Sequence, residues 1–353
     1  MKDELKQQRK RSAPRRLALL CFLVLAGAIV AHVSLTMHPR FLTMGDSIAS
    51  QQAIFDRTNA VFGGQTDNIH NWRNRVMLPY LLEGVSRATG MSFGRAYVLS
   101  RWVTATVALA MFMWLAMRTL ALDAVSAAAA AVLFAFSLIP TFTHIYEIPS
   151  DFLDAAFFCA LTVWALEGLR GAFLVTMLLA LLNRESAVFG VIVWFFVQAF
   201  GGGTRRFVRE TLWCALGGAL STAVVVGLRV LNSGHQGATL GQGLQTFEPA
   251  YFLSLNMEAL RGFLSRPHFG NPFFLLGAYL AALGLLLRAE WGAIGTRARQ
   301  LAVAATAIFL ASCISNCIDE LRMFIPSLVL MMLVVASVVW RRQVGGSGGG
   351  PGA

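Results

Sequence analysis

A lone carboxylate and a pair of arginines follow the first long apolar run of the chain. Asp46 comes soon after that run, and Arg73 and Arg75 come later in the same polar segment, directly behind Trp72. A carboxylate can take a proton from a hydroxyl group, arginine forks pair with phosphate oxygens, and tryptophan anchors at the level of lipid headgroups. These residues predict a site that grips a phosphate at a membrane interface. Ordinary interfacial anchoring, with Asp46 as a helix N-cap, is the alternative.

Four consecutive polar residues interrupt an otherwise apolar stretch in the middle of the chain. They occupy 183–186 and separate two short apolar segments, 171–182 and 186–200. Unpaired charge is costly at or within the edge of a membrane, so this position favours a functional site. Arg184 and Glu185 either pair with each other, or Arg184 pairs with the phosphate of a ligand.

A group of carboxylates stands at the start of the apolar segment 151–168. Glu147 precedes the segment, and Asp151 and Asp154 are spaced so that they share one face of a helix. Carboxylate oxygens in this arrangement could bind a divalent cation. The simpler alternative is a helix N-cap and a first-turn acid that complements the helix dipole.

An acid and an arginine come just before the last apolar segment, 323–340. Glu320 and Arg322 begin this segment on the predicted outer side of the membrane. Glu320 could orient Arg322 or Arg184, or contact a substrate. Plain helix capping is the alternative.

The elements that must position these residues are membrane-spanning helices. Of the 353 residues, 56% are hydrophobic and only 13% are charged, whereas a soluble globular domain carries about 25% charged residues. The apolar segments are continuous rather than alternating, which favours helices over a β-barrel. The sequence predicts an all-α integral membrane protein with about ten transmembrane helices and a long, partly helical first extracytoplasmic loop.

The distribution of charge predicts how these helices are oriented. All three lysines and four arginines lie in an N-terminal arm, 1–16, and further arginines lie in short loops. This pattern places both termini of this multi-pass protein on the cytoplasmic side of the cell (inner) membrane. The membrane domain covers 17–342, with long outer loops at 38–93 and 232–270, and a Gly-rich tail at 343–353 is expected to be disordered. Most acidic residues fall on the outer side, which predicts an extracytoplasmic active face. The same distribution argues against nucleic acid as the partner of the net charge of +11.

Taken together, these features resemble the C-type glycosyltransferases (the GT-C fold), polytopic membrane enzymes that use polyprenyl-phosphate-linked sugar donors. The resemblance rests on the carboxylate after the first helix, the long first outer loop, the Arg73–Pro79 segment, the short helix pair around 183–185, and the acid and arginine before the last helix. In that family an acid in the first outer loop is the catalytic base, which implies Asp46 here. Basic and polar groups hold the substrate and its phosphate, which implies Arg73, Arg75, Arg184, Glu185, Glu320 and Arg322.

The resemblance also implies a reaction. A hexosyl- or pentosyltransferase would move a sugar from polyprenyl phosphate to a glycan or lipid acceptor outside the cytoplasm, in cell-envelope glycan or glycolipid assembly. A single base and direct displacement predict inversion at the anomeric carbon. A divalent cation is the one candidate cofactor, with Glu147, Asp151 and Asp154 as candidate ligands. A transporter or lipid flippase and a non-catalytic membrane subunit are the alternative functions.

Overall fold

The computed structural model describes residues 26–29, 48–49, 52, 76–138, 148–200, 203–233, 249–265, 281, 284–285, 288–292, 294–315 and 324–345. Within these ranges every regular element is helical, which confirms the all-α class. The α-helices are α1 (Met77–Thr89), α2 (Phe93–Leu120), α3 (Ala124–Leu138), α4 (Ile148–Glu167), α5 (Arg170–Asn183), α6 (Gly190–Trp194), α7 (Thr204–Ser233), α8 (Pro249–Ser265), α9 (Thr296–Ser315) and α10 (Ile325–Gly345). A 3-10 turn, Glu185–Phe189, precedes α6, and a π-helical turn, Phe195–Ala199, follows it.

Three of the described helices are long and apolar enough to cross a membrane. They contain Phe93–Leu120 in α2, Thr204–Leu228 in α7 and Thr296–Ile314 in α9. The 28 residues of α2 extend over about 42 Å, more than the roughly 30 Å of a hydrocarbon core. Ser92 caps the start of α2 because its hydroxyl accepts a hydrogen bond from the backbone N–H of Arg95 (3.4 Å). Length and composition together indicate a membrane protein.

The described part of the chain does not contain the predicted number of about ten spans. Four further apolar segments are short: 124–138, 170–183, 185–199 and 325–340. A helix needs about 20 apolar residues to cross the hydrocarbon core, so none of these qualifies by itself. The 20 residues of α4 are enough in number, but carboxylates interrupt their apolar run. Two more apolar segments of the sequence, 17–37 and 271–287, lie almost wholly outside the described residues.

Both long loops predicted to lie outside contain helical segments. The predicted first outer loop, 38–93, was expected to be partly helical, and α1 lies in it. The predicted second outer loop, 232–270, contains α8. At the other end of the chain, α10 continues to Gly345, so the helix includes the first residues of the predicted tail, 343–353.

Small side chains allow the central helices to approach closely. The largest helix–helix contact joins α2 to α4, while α2 also packs against α3 and α9 packs against α10. Ala108 of α2 and Ala131 of α3 are buried, and the rings of Phe112 and Phe134 stack with their centroids 4.4 Å apart. In lipid, helices associate through this close packing rather than through expulsion of water.

Polar side chains form two layers with an apolar slab between them. Helix α5 begins at Arg170 and ends just before Arg184, and its 14 residues separate the two arginines by about 21 Å. At the Arg170 end, α2 and α4 also finish, and Arg118 pairs with Glu167 at 2.5 Å. Buried alanine, leucine and phenylalanine side chains fill the space between the layers. This arrangement fits a bundle whose two polar layers lie near the two edges of a hydrocarbon core.

Candidate functional site

The polar run after α5 turns back toward the start of α4. Arg184 leaves the helix in an extended conformation, with its backbone N–H still donating to the carbonyl of Ala180 (2.8 Å). Its side chain is 1% exposed, and its Nη1 donates a hydrogen bond to Oδ1 of Asp151, which is 2% exposed. A buried ion pair therefore joins the bend to α4.

The neighbours of Arg184 reinforce this junction. Asn183 donates from its side-chain amide to the backbone carbonyl of Ser150 (2.8 Å). The hydroxyl of Ser186 lies 3.0 Å from both carboxylate oxygens of Asp154, which is completely buried. Three contacts, made by Asn183, Arg184 and Ser186, thus hold the bend on one face of α4.

The partner of Arg184 in the structure is neither of the two considered from the sequence, Glu185 and a ligand phosphate. Arg184 pairs with Asp151, 33 residues away, and not with the adjacent Glu185, whose side chain is only partly buried. The prediction that Asp151 and Asp154 share a helix face is confirmed, because both meet the bend from α4. Their side chains contact side chains of the bend, so helix capping alone does not describe their role.

A second buried arginine was missed in the sequence. Arg101 of α2 is 0% exposed, and its guanidinium carbon lies 5.4 Å from the ring centroid of Tyr97, one turn earlier. In the described structure, its Nε, Nη1 and Nη2 atoms have no hydrogen-bond partner. Arg101 lies on α2, which packs against α4, the helix that carries Asp151. The available signal was an ionisable residue within an apolar helix, which by itself suggests a functional position.

We call Arg101, Asp151, Asp154, Asn183, Arg184 and Ser186 the buried polar cluster. The carboxylates of Asp151 and Asp154 accept hydrogen bonds from Arg184 and Ser186. The N–H groups of the Arg101 guanidinium have no acceptor in the described structure. An unsatisfied buried donor costs about 1–3 kcal/mol, and more when the group is charged. An anion with several oxygens, such as a phosphate, would relieve this cost by accepting hydrogen bonds from Arg101. The arrangement is chemically suited to binding such an anion.

The cation site remains a prediction. Among the residues that the structure describes, no three His, Cys, Asp or Glu side chains gather in a way that could hold a metal ion. Asp151 and Asp154 are engaged with Arg184 and Ser186. Glu147, the third candidate ligand, lies outside the described residues.

Several other predicted site residues also lie outside the described residues, namely Asp46, Arg73, Arg75, Glu320 and Arg322. Their sequence neighbours are nevertheless informative. Ile48 packs against an apolar group that includes Leu78 of α1 and Tyr97 of α2. Helix α1 also contacts α5. Two parts of the predicted first outer loop therefore meet in one apolar group, which also contains Tyr97, the aromatic neighbour of Arg101.

No protein-family model, no curated protein and no solved structure matches this chain.

Proposed function

We propose that this protein is a multi-pass membrane glycosyltransferase that moves a sugar from a polyprenyl-phosphate donor to an acceptor outside the cytoplasm. The buried polar cluster would face the lipid phosphate from the membrane side. Asp46 would act as the base, and Arg73, Arg75 and Arg184 would hold the phosphate. Glu185, Glu320 and Arg322 belong to the same proposed substrate site.

The observation that carries this proposal is the packing around Tyr97. Ile48 follows Asp46 by two positions, and Leu78 follows Arg75 by three. Both side chains belong to the apolar group around Tyr97. This packing supports a common site for the predicted base, the predicted arginine pair and the cluster.

The proposed sugar transfer is a direct displacement that requires one base and a stabilised phosphate leaving group. The oxygen of the acceptor hydroxyl attacks the anomeric carbon, and its proton passes to the carboxylate of Asp46. The bond between the anomeric carbon and the phosphate oxygen breaks, and its electrons leave with the polyprenyl phosphate. Arginine side chains stabilise the negative charge that develops on that phosphate. Attack from the face opposite the leaving group inverts the anomeric carbon.

Asp46→Asn is expected to lower sugar transfer by about 10²–10⁴-fold, because general base catalysis contributes rate factors of this size. The measurement follows release of polyprenyl phosphate from radiolabelled lipid-linked hexose or pentose donors in proteoliposomes supplied with a membrane glycolipid extract. Asp56→Asn makes the same change elsewhere in the predicted first outer loop and should leave the rate unchanged. Full activity of Asp46→Asn would show that the base has been assigned wrongly.

A transporter or lipid flippase is the second candidate, and a specific feature favours it. Between 185 and 199 the helical path passes from a 3-10 turn through α6 to a π-helical turn. Transporters commonly bind their substrates at such broken helices. In the same proteoliposomes a flippase would move the labelled donor between leaflets without consuming it. Consumption of the donor separates the two functions.

A further inference from the structure

A cavity of about 530 Å³ opens at the end of the bundle opposite the buried polar cluster. The polar side chains that line it come from α5, α7 and the segment between them: Arg170, Trp194, Gln198, Arg206, Arg209 and Glu210. Since α5 is 14 residues long, this cavity lies about 21 Å from Arg184. It is a separate site.

A buried carboxylate fixes two arginines in the wall of the cavity. The side chain of Glu210 is 3% exposed and lies 2.5 Å from Nη2 of Arg170 and 3.0 Å from Nη2 of Arg209. It also accepts a hydrogen bond from the indole N–H of Trp194 (3.1 Å). Because the carboxylate is buried and the two guanidinium groups are partly exposed, the positive groups are presented to the cavity.

A third arginine is held in a defined orientation. Nε of Arg206 donates to the backbone carbonyl of Gln198 (2.9 Å), and its Nη2 donates to the side-chain oxygen of the same residue (2.7 Å). The lining thus contains three guanidinium groups and one carboxylate. This excess of positive charge favours an anion, and guanidinium groups suit phosphate in particular.

The backbone at the start of α5 adds to this preference. Arg170, Gly171 and Ala172 all line the cavity. The N–H of Arg170 already donates to the carbonyl of Gly168 (3.1 Å), whereas the other N–H groups in the first turn of a helix have no acceptor within the helix. The positive end of the helix dipole is therefore directed at the cavity. A side-chain carbon added at Gly171 would meet no atom within 4 Å, so the space beside the backbone is open.

Exposed apolar side chains lie in and beside the lining of the cavity. Leu169 belongs to the lining and is 45% exposed. Phe207 and Leu212, which are 42% and 66% exposed, neighbour the lining residues Arg206, Arg209 and Glu210 along α7. An acyl chain gains free energy when it covers such apolar surface. A free phosphate ion would gain nothing from it, whereas a phospholipid would use both the charged cavity and the apolar side chains near it.

We propose that this cavity binds the phosphodiester headgroup of an anionic membrane lipid, with Arg170, Arg206 and Arg209 as its phosphate-binding residues. Basic pockets between transmembrane helices are known to receive such headgroups. The proposal does not rest on glycosyl transfer, because it concerns the other polar layer and involves no polyprenyl lipid.

The test titrates fluorescent short-chain phosphatidylglycerol into the purified full chain in an uncharged detergent. Arg206→Gln/Arg209→Gln should weaken binding about ten-fold or more, because each removed charge loses a charge-assisted hydrogen bond. Gly171→Leu keeps every charge but fills the open space, and it should also weaken binding. The thermal unfolding of each variant is followed in parallel to confirm that it is folded.

Arg205→Gln is the matched control. Arg205 is exposed in the same turn of α7 and does not belong to the lining of the cavity, so this variant should bind as the wild type does. An equal loss of affinity in Arg205→Gln would show attraction by surface charge alone and overturn the proposal. Unchanged binding by Gly171→Leu would overturn the location. Equal affinity for phosphatidylcholine, or full displacement by inorganic phosphate at matched concentration, would overturn the anionic-lipid assignment.

Discussion

Asp151→Ala is expected to lower the free energy of unfolding by about 3–5 kcal/mol, the usual cost of removing one partner from a buried ion pair. The change would leave the guanidinium of Arg184, which is 1% exposed, without its carboxylate. The size of the loss therefore includes the cost of leaving a buried charge with one partner fewer, in addition to the strength of the pair itself. Equilibrium unfolding in mixed detergent micelles measures it.

A double substitution separates these two contributions. Asp151→Ala/Arg184→Met removes both charges together, so it should recover most of the loss, as coupled neighbours do in a mutant cycle. Glu167→Ala provides a control, because Glu167 pairs with the exposed Arg118 near the surface and such pairs contribute about 0–1 kcal/mol. If Asp151→Ala costs no more than Glu167→Ala, the buried pair does not hold the bend on α4.

Arg101→Met is expected to stabilise the protein in the absence of ligand, by about 1–3 kcal/mol, the cost of leaving a buried donor unsatisfied. The guanidinium of Arg101 is completely buried and, in the described structure, has no hydrogen-bond partner. Methionine has a similar volume and adapts to irregular surroundings, so it replaces a poorly satisfied charge with packing contacts. A buried arginine that lowers stability is expected at a position where it binds an anionic ligand.

The comparison for this prediction is Arg95→Met. Arg95 is exposed two turns earlier in α2, and a surface substitution there should change stability by no more than about 0.5 kcal/mol. Thermal unfolding of the two ligand-free variants beside the wild type gives the result. A marked loss of stability in Arg101→Met would contradict the view that this guanidinium is reserved for an anion.

The pattern of hydrophobicity was sufficient to locate most of the described helices. The short pair predicted at 171–182 and 186–200 corresponds to α5 and to the irregular helical stretch 185–199. Four polar residues between two apolar runs leave few other positions for a chain reversal, since the backbone polar groups of each run must be paired within a helix. Local information was enough here.

The partners of the charged side chains could not be obtained in the same way. The sequence offered Glu185 or a ligand phosphate as the partner of Arg184, but packing of α4 against α5 brings in Asp151 from 33 residues away. Arg101 was not predicted as a site residue because one arginine changes the mean hydropathy of a long apolar helix very little. Within the described residues, the number of spans was overestimated because several of the apolar segments form helices too short to cross the hydrocarbon core.

Thermal unfolding of the detergent-solubilised wild type with undecaprenyl phosphate, and separately with undecaprenol, tests whether the protein has a polyprenyl-phosphate site. A ligand that binds only the folded state stabilises it by about 2.7 kcal/mol at one hundred times its dissociation constant. We expect the phosphate-bearing lipid to raise the unfolding temperature and the alcohol to leave it unchanged. We also expect Arg101→Met and Arg73→Ala/Arg75→Ala to lose the shift. No shift at saturating undecaprenyl phosphate, or an equal shift with undecaprenol, would contradict a polyprenyl-phosphate site.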